Sequence, residues 1–298
     1  NPQQQAAVVH EGSPLLIVAG AGSGKTAVLT RRIAYLLHNR GVAPWQILAI
    51  TFTNKAAAEM KERVGQLVGP EAERMWVATF HSVCVRILRQ QAQLVPGLNT
   101  NFTIYDSDDS RRLLGMIAKD FNLDLKKFTP RTLANGISNL KNELIGPETA
   151  LANAERTHNP FETTVAKVYV EYQRRLRQSN ALDFDDLIGE VVRIFKEHPQ
   201  VTDYYRRRFR HVLVDEYQDT NHAQYELIHT LVGDGPDAPE LAVVGDSDQS
   251  IYAFRGATIR NIEEFERDYP NATTIMLEQN YRSTQNILGA ANAVIAQN

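Results

Sequence analysis

Leu15-Leu16-Ile17-Val18-Ala19-Gly20-Ala21-Gly22-Ser23-Gly24-Lys25-Thr26 decides how the rest of the chain is read. Leu15 to Val18 is a short, wholly apolar run, the pattern of a parallel strand buried on both faces. Glycines then alternate with small residues, so the backbone turns tightly and no side chain blocks a close approach. Backbone N–H groups of Ala21, Gly22, Ser23 and Gly24 can cradle a phosphate chain at the positive end of the following helix. Lys25 adds a point charge for the β and γ phosphates, and the Thr26 hydroxyl is a magnesium ligand. Ala19 stands where the pattern more often has its first glycine. An apolar strand before and helical apolar spacing after are the context this loop requires.

The totals set bounds on the rest. The chain has 298 residues and is 43% hydrophobic, enough for one large or two ordinary domains. Its net charge of −3 gives no global basic field, so any nucleic-acid surface has to be local. One cysteine, Cys84, excludes an internal disulfide. There is no signal peptide and no long apolar span, so an intracellular, membrane-free protein is expected. The chain starts at Asn1 rather than methionine, the mark of a trimmed start, and a lost leader is left open.

Outward from the loop, the organisation is that of repeated strand-to-helix units. Asn1 to His10 reads as a short capped helix, and Gln4 is the candidate to read an adenine edge, because a carboxamide offers a donor and an acceptor together. Ile47 to Phe52 is a second buried strand, followed by a helix start for which Asn54 is the expected cap. Trp76 to Thr79 is a third, running into Phe80-His81-Ser82. Three such units predict a parallel, doubly wound sheet, and ligands of such sheets sit beyond the carboxyl ends of the strands. Phe52, Thr53, Asn54, Thr79, Phe80 and His81 all fall at those ends.

From about residue 82 to 208 helical spacing takes over, with 19 basic against 16 acidic residues, whereas the rest of the chain has 13 against 19. An all-helical, mildly basic insertion is expected, with basic clusters at Arg174-Arg175-Arg177 and Arg206-Arg207-Arg208-Arg210. The sheet resumes at His211-Val212-Leu213-Val214, which delivers Asp215 and Glu216 at its carboxyl end. Asp215 suits the shell of a magnesium ion, and Glu216 suits general-base work on an attacking water. Lys25 and Asp215 are 190 residues apart, too far for one compact nucleotide core without an insertion. Another buried strand, Leu241 to Val244, empties into Gly245 to Gly256. There Gln249 can contact the γ phosphate or the lytic water, and Tyr252, Phe254 and Arg255 suit base stacking on a single strand. After a last strand, Thr273 to Leu277, Tyr281 can stack on adenine and Arg282 can stabilise charge on the transferring phosphoryl group.

Taken together these strings resemble the superfamily 1 DNA helicases of the UvrD/PcrA/Rep family. They stand in family order: Asn1-Pro2-Gln3-Gln4, Ala19 to Thr26, Thr51 to Lys55, Thr79 to Ser82, Val214 to Asn221, Gly245 to Gly256 and Gln279 to Ser283. The resemblance implies an ATP-driven motor that uses Mg2+, moves 3′ to 5′ on single-stranded DNA and unwinds duplex at single-strand/double-strand junctions, in DNA repair and in a bacterial cytoplasm. It implies that Gln4 and Tyr281 hold adenine and that Lys25 and Thr26 hold phosphate and metal. Asp215 and Glu216 become metal-side carboxylate and base, Gln249 the coupling residue, and Arg282 an arginine finger. Phe52, Asn54, His81, Tyr252 and Phe254 face DNA.

The implied fold is α/β, the RecA-like doubly wound sheet of a P-loop NTPase with an all-helical inserted subdomain. A motor lobe is expected over 1–81 plus 209–281, a DNA-gripping helical subdomain over 82–208, and the start of a second motor lobe over 282–298. Two positions depart from the family pattern. Ala27 stands where relatives often carry an arginine that packs on adenine, and Phe254 stands where they usually have tryptophan. Relatives also continue into a second lobe, which binds the other side of ATP. The isolated 298 residues are therefore expected to bind nucleotide weakly and not to unwind DNA, and the second lobe and repair proteins are the expected protein partners. Two alternatives use the same motifs: the helicase half of a RecB- or AddA-like helicase–nuclease, and a nucleotide-gated DNA-binding module without turnover.

Overall fold

A computed structural model describes residues 1–20, 24–246 and 257–277. In its first part the elements are α1 (Pro2–Val9), β1 (Leu15–Ala19), α2 (Lys25–His38), β2 (Ile47–Thr51), α3 (Asn54–Val68), β3 (Trp76–Thr79) and α4 (Phe80–Gln91). The middle contains β4 (Thr103–Tyr105), α5 (Ser107–Asp120), α6 (Pro130–Asn142), α7 (Pro147–Thr157), α8 (Pro160–Gln178), β5 (Ala181–Asp183), α9 (Phe184–Glu197) and α10 (Pro199–Arg208). The last part holds β6 (His211–Val214), α11 (His222–Val232), β7 (Glu240–Asp246), α12 (Ala257–Asp268) and β8 (Thr273–Leu277). Contacts divide the chain into two compact units. The first is residues 1–79, 204–220 and 232–298; the second is residues 80–203 and 221–231.

The first unit is built on a six-stranded sheet of order β3-β2-β6-β7-β1-β8, with every strand pairing parallel. The aliphatic runs occupy its centre. Each residue of β1, β2 and β6 is buried, because a parallel strand covered on both faces has no solvent side. Leu15, Ile17, Ala49, Leu213, Ala242 and Val244 face one core with Leu29 and Ile33 of α2 and Met60 and Val64 of α3. The intervening Leu16, Leu48, Val212 and Val243 are equally buried on the other face, as the two-residue period of a strand requires. Edge strand β8 departs from this pattern and leaves Thr274 and Met276 exposed.

The amino-terminal rim of the sheet carries a charge cluster. Glu240 opens β7. Its Oε2 lies 3.0 Å from both Arg40 NH1 and His211 Nδ1, and its Oε1 accepts the Gly12 N–H at 3.1 Å. Burial works against the charged form, but these partners hold the carboxyl down to about 2. A carboxylate with a depressed folded pKa contributes stability above its unfolded value and loses it as the pH falls through the folded one. Glu240→Gln is expected to lower stability at neutral pH on the order of 2 kcal/mol and to flatten the acid limb between about pH 4.5 and 2. Urea titrations at stepped pH check this.

The second unit is helical apart from β4 and β5, which form a short parallel pair with Thr103 opposite Ala181. Helical spacing did not announce these two strands. Each has three residues, too short for a two-residue alternation to register. Its interior gathers Leu114, Ile117, Leu133, Ile137, Val168, Tyr172 and Leu176. Among them Lys141 is buried, with Nζ 2.7 Å from Asp183 Oδ2 and 2.9 Å from Asp186 Oδ1. Asp183 and Asp186 also cap each other's backbone N–H at the start of α9. Among the described residues no helix is long and apolar enough to cross a membrane.

Candidate functional site

The sheet order brings distant sequence together. β7 lies between β1 and β6, so the carboxyl ends of β1 and β6 open at the same rim, one strand apart. Lys25 is the first residue of α2, and its Nζ lies 2.8 Å from Glu216 Oε1 and 3.8 Å from Asp246 Oδ2. Burial alone would lower the Lys25 pKa. The hydrogen bond to Glu216 and the charges of Glu216, Asp246 and Asp215 outweigh it and raise the pKa. Glu216 responds in the opposite sense: burial opposes ionisation, yet Lys25 and Gln218 hold it below its ordinary range.

Asp215 extends the β2–β6 ladder by one bond, donating its N–H to Ile50 O at 3.0 Å. Its Oδ1 accepts the Glu216 N–H at 2.8 Å, and the residue is 7% exposed. Burial, then the neighbouring Glu216 charge, raises its pKa. Glu216 itself adopts the left-handed conformation, with φ 51° and ψ 43°. That turn separates the directions of the two carboxylates, and a non-glycine residue keeps such a conformation only where its surroundings hold it.

A cavity of about 320 Å³ lies at this rim, lined by Thr26, Thr51, Phe52, Thr53, Ala56, Glu59, Met60, Arg63, Asp215 and Glu216. Thr26 and Asp215 share it, one hydroxyl and one carboxylate. Among the described residues no group of three or more His, Cys, Asp or Glu could hold a metal alone. The pair fits Mg2+, which keeps several waters and takes one or two carboxylates alongside substrate phosphates.

Gln4 stands on α1, whose first turn is capped by the Asn1 side chain accepting the Gln4 N–H at 2.9 Å. Gly24 has φ +78°, and a side chain there would come within 3.2 Å of Gln4 Nε2. Glycine is required at Gly24 both for its backbone angle and for the nearness of Gln4. The helix bearing Gln4 is pinned by Arg32 of α2, which sequence reasoning did not single out. Arg32 is 2% exposed, and its NH1 donates to Ala7 O at 3.1 Å, Val8 O at 3.2 Å and His10 O at 2.8 Å. These are carbonyls a helix end leaves unsatisfied. Arg32→Met is expected to cost about 2–3 kcal/mol, the loss of hydrogen bonds to a charged donor. Chemical denaturation checks this.

The DNA-facing candidates separate. Phe52 is half-buried, and Thr53 and Asn54 are exposed. The cap of α3 is Thr53 rather than Asn54: Thr53 is extended, and its Oγ1 accepts the Ala56 N–H at 3.0 Å, which makes Asn54 the first helical residue. Thr79 is buried, and Phe80 is 1% exposed. As the first residue of α4, Phe80 turns its ring into the protein interior and offers no face to a nucleic acid. His81 is half-buried, with its ring 4.7 Å from that of Phe184, and burial lowers its pKa, so it is neutral at pH 7. Ala21, Gly22, Ser23, Gln249, Tyr252, Phe254, Arg255, Tyr281 and Arg282 lie outside the described residues.

Comparison with known proteins follows the same line. Residues 1–270 match the UvrD/REP helicase N-terminal domain. The chain is 71% identical over 302 residues to the ATP-dependent DNA helicase UvrD1 of Mycobacterium tuberculosis, an alignment that covers all of this chain and 39% of that protein. It is 69% identical over 306 residues to the UvrD1 of Mycobacterium leprae, with the same coverage. It is 55% identical over 298 residues to the ATP-dependent DNA helicase PcrA of Staphylococcus aureus, covering all of the chain and 40% of the relative. The chain thus spans about two-fifths of the length of the curated relatives it matches. With residues 1–270 matched to that domain, and Lys25 and the acidic pair meeting at one rim of a parallel sheet, the chain belongs to the UvrD/REP helicase family.

Proposed function

We propose that the whole protein is an ATP-dependent DNA helicase that moves 3′ to 5′ on single-stranded DNA and opens duplex at junctions, acting in DNA repair in the bacterial cytoplasm. The observation that carries the reading is the approach of Lys25 to Glu216 at 2.8 Å, across 191 residues of sequence, beside the cavity shared by Thr26 and Asp215. In this reading residues 1–81 and 209–281 form the motor lobe, 82–208 grip DNA, and 282–298 begin a second lobe.

Gln4, beside Gly24, reads the adenine edge, and the loop from Ala21 to Gly24 cradles the phosphates. Lys25 leaves Glu216 for the β and γ phosphates. Thr26 and Asp215 would hold a magnesium ion, which would supply charge neutralisation at the phosphates. Glu216, released from Lys25, orients a water beside the cavity for in-line attack. Gln249 and Arg282 act on the transferring phosphoryl group, and Tyr281 stacks on adenine. Ala27, exposed where relatives often place an arginine, leaves adenine recognition to Gln4 and Tyr281. Phe52, Thr53, Asn54, His81, Tyr252, Phe254 and Arg255 form the path of the single strand.

The test is ATP turnover by the whole protein with and without single-stranded DNA, together with strand displacement on a tailed duplex. DNA-stimulated turnover that Lys25→Ala abolishes supports the motor. ATP-dependent DNA affinity without phosphate release would assign the nucleotide-gated binding module instead. DNA degradation alongside unwinding would assign the helicase–nuclease.

A further inference from the structure

Gln218 has no part in the reading above, yet its side chain is bonded at both ends. It is 3% exposed. Its Nε2 donates to Glu216 Oε2 at 2.7 Å, and its Oε1 accepts the backbone N–H of Asp246 at 3.0 Å. The partners decide which way the amide faces, since a backbone N–H only donates and a carboxylate only accepts. The backbone is held as well: Asn261 of α12, itself buried, donates Nδ2 to Gln218 O at 2.8 Å and to Thr220 O at 3.1 Å.

The consequence falls on Glu216. One of its carboxylate oxygens lies on Lys25 and the other on Gln218, so its orientation is set from two sides. The Lys25 side changes with nucleotide. The Gln218 side is tied to the last residue of β7, and Gln249 follows three positions later in the sequence. A planar amide bonded at both ends transmits a displacement of a few tenths of an ångström without absorbing it. Hydrogen bonds of this length weaken steeply when stretched or bent, so the carboxylate either follows or lets go.

We infer that Gln218 is a positioning residue that couples the aim of the Glu216 carboxylate to the carboxyl end of β7, and through it makes ATP turnover answer to DNA. The inference rests on the reading of Glu216 as the base. It adds a mechanical link between that base and the segment leading to Gln249. Without the link, Glu216 rotates freely about its last side-chain bond, and the position of β7 no longer decides whether a lone pair points at the cavity.

The experiment is steady-state ATP turnover by the whole protein, with and without a saturating oligo-dT strand, for the wild type, Gln218→Met and Glu216→Gln. Gln218→Met keeps volume and removes both hydrogen bonds. It is expected to lower the ratio of DNA-stimulated to DNA-free turnover about tenfold, a common size for coupling between sites, with the KM for ATP nearly unchanged. A residue with only a structural role lowers both rates together and leaves the ratio where it was. An unchanged ratio overturns the coupling. If Glu216→Gln retains wild-type turnover, the base assignment fails instead, and the two failures are thereby told apart. Should Gln218→Met not fold, as judged by circular dichroism, Gln218→Asn carries the same test, because an amide one methylene shorter cannot reach both partners.

Discussion

Glu216→Gln is expected to lower ATP turnover by about two to four orders of magnitude, the usual range for removing a general base, while leaving the fold and nucleotide binding in place. The substitution keeps shape and volume. The amide oxygen can accept from Lys25 or from Gln218 but not from both, and the amide cannot accept a proton at neutral pH. Binding rests on the backbone loop, Lys25 and Gln4, and the substitution removes none of these groups. Turnover and binding therefore separate, and rapid-quench measurement of phosphate release beside titration with a fluorescent ATP analogue reads both. Equal losses in the two would remove Glu216 from the base position. The pH dependence has a definite sign. A base must be deprotonated to act, and Lys25 and Gln218 hold Glu216 below its ordinary range. The acid limb of kcat/KM, which reports the free enzyme, is then expected below the ordinary glutamate value of about 4.3.

Lys141→Met is expected to destabilise the helical unit by about 3–5 kcal/mol, the cost of removing one partner from a buried ion pair. Lys141 is buried between Asp183 and Asp186, and burial that would lower its pKa is outweighed by their charges, which raise it. Arg177 reaches Asp186 at 3.4 Å and is the weaker partner. Tyr172 OH lies 2.9 Å from Asp183 Oδ2, adding a hydrogen bond but no charge. Without Lys141 the two carboxylates repel in an apolar interior, so their folded pKa values rise above the unfolded ones. Such groups bind more protons folded than unfolded, and the variant is expected to regain stability as the pH falls towards about 5. Chemical denaturation at pH 7.5 and 5 checks both the loss and its recovery. The triple variant Lys141→Met, Asp183→Asn, Asp186→Asn should recover much of the stability at pH 7.5, because no buried charge is left uncompensated.

How much of this was legible from the chain varies with the range of the interaction. Central strands such as Leu15–Ala19 and Ile47–Thr51 declare themselves, because burial on both faces demands an unbroken aliphatic run. The Asp215-Glu216 pair is readable as chemistry but not as a place. Its meeting with Lys25 depends on β7 lying between β1 and β6, a strand order that no local pattern encodes.

Cap identity turned on one backbone torsion: Thr53 and Asn54 are both good caps, and only the extended conformation of Thr53 gives it the role. Phe80 shows the limit for aromatics. Beside strand ends its ring could face a ligand or the interior, and the fold buries it. Arg32 was not singled out, and Gln218 had no role within the string Val214 to Asn221, because each bonds to backbone groups: the carbonyls closing α1 for one, the N–H of Asp246 for the other. Every residue but proline carries those groups, so no side-chain pattern can point to them. By itself the sequence determined the strands of the six-stranded sheet, the acidic pair at the end of one of them, and the family. Tertiary structure alone decided which carboxylate meets Lys25 and what holds Glu216 in its left-handed turn, because both follow from which strands lie side by side.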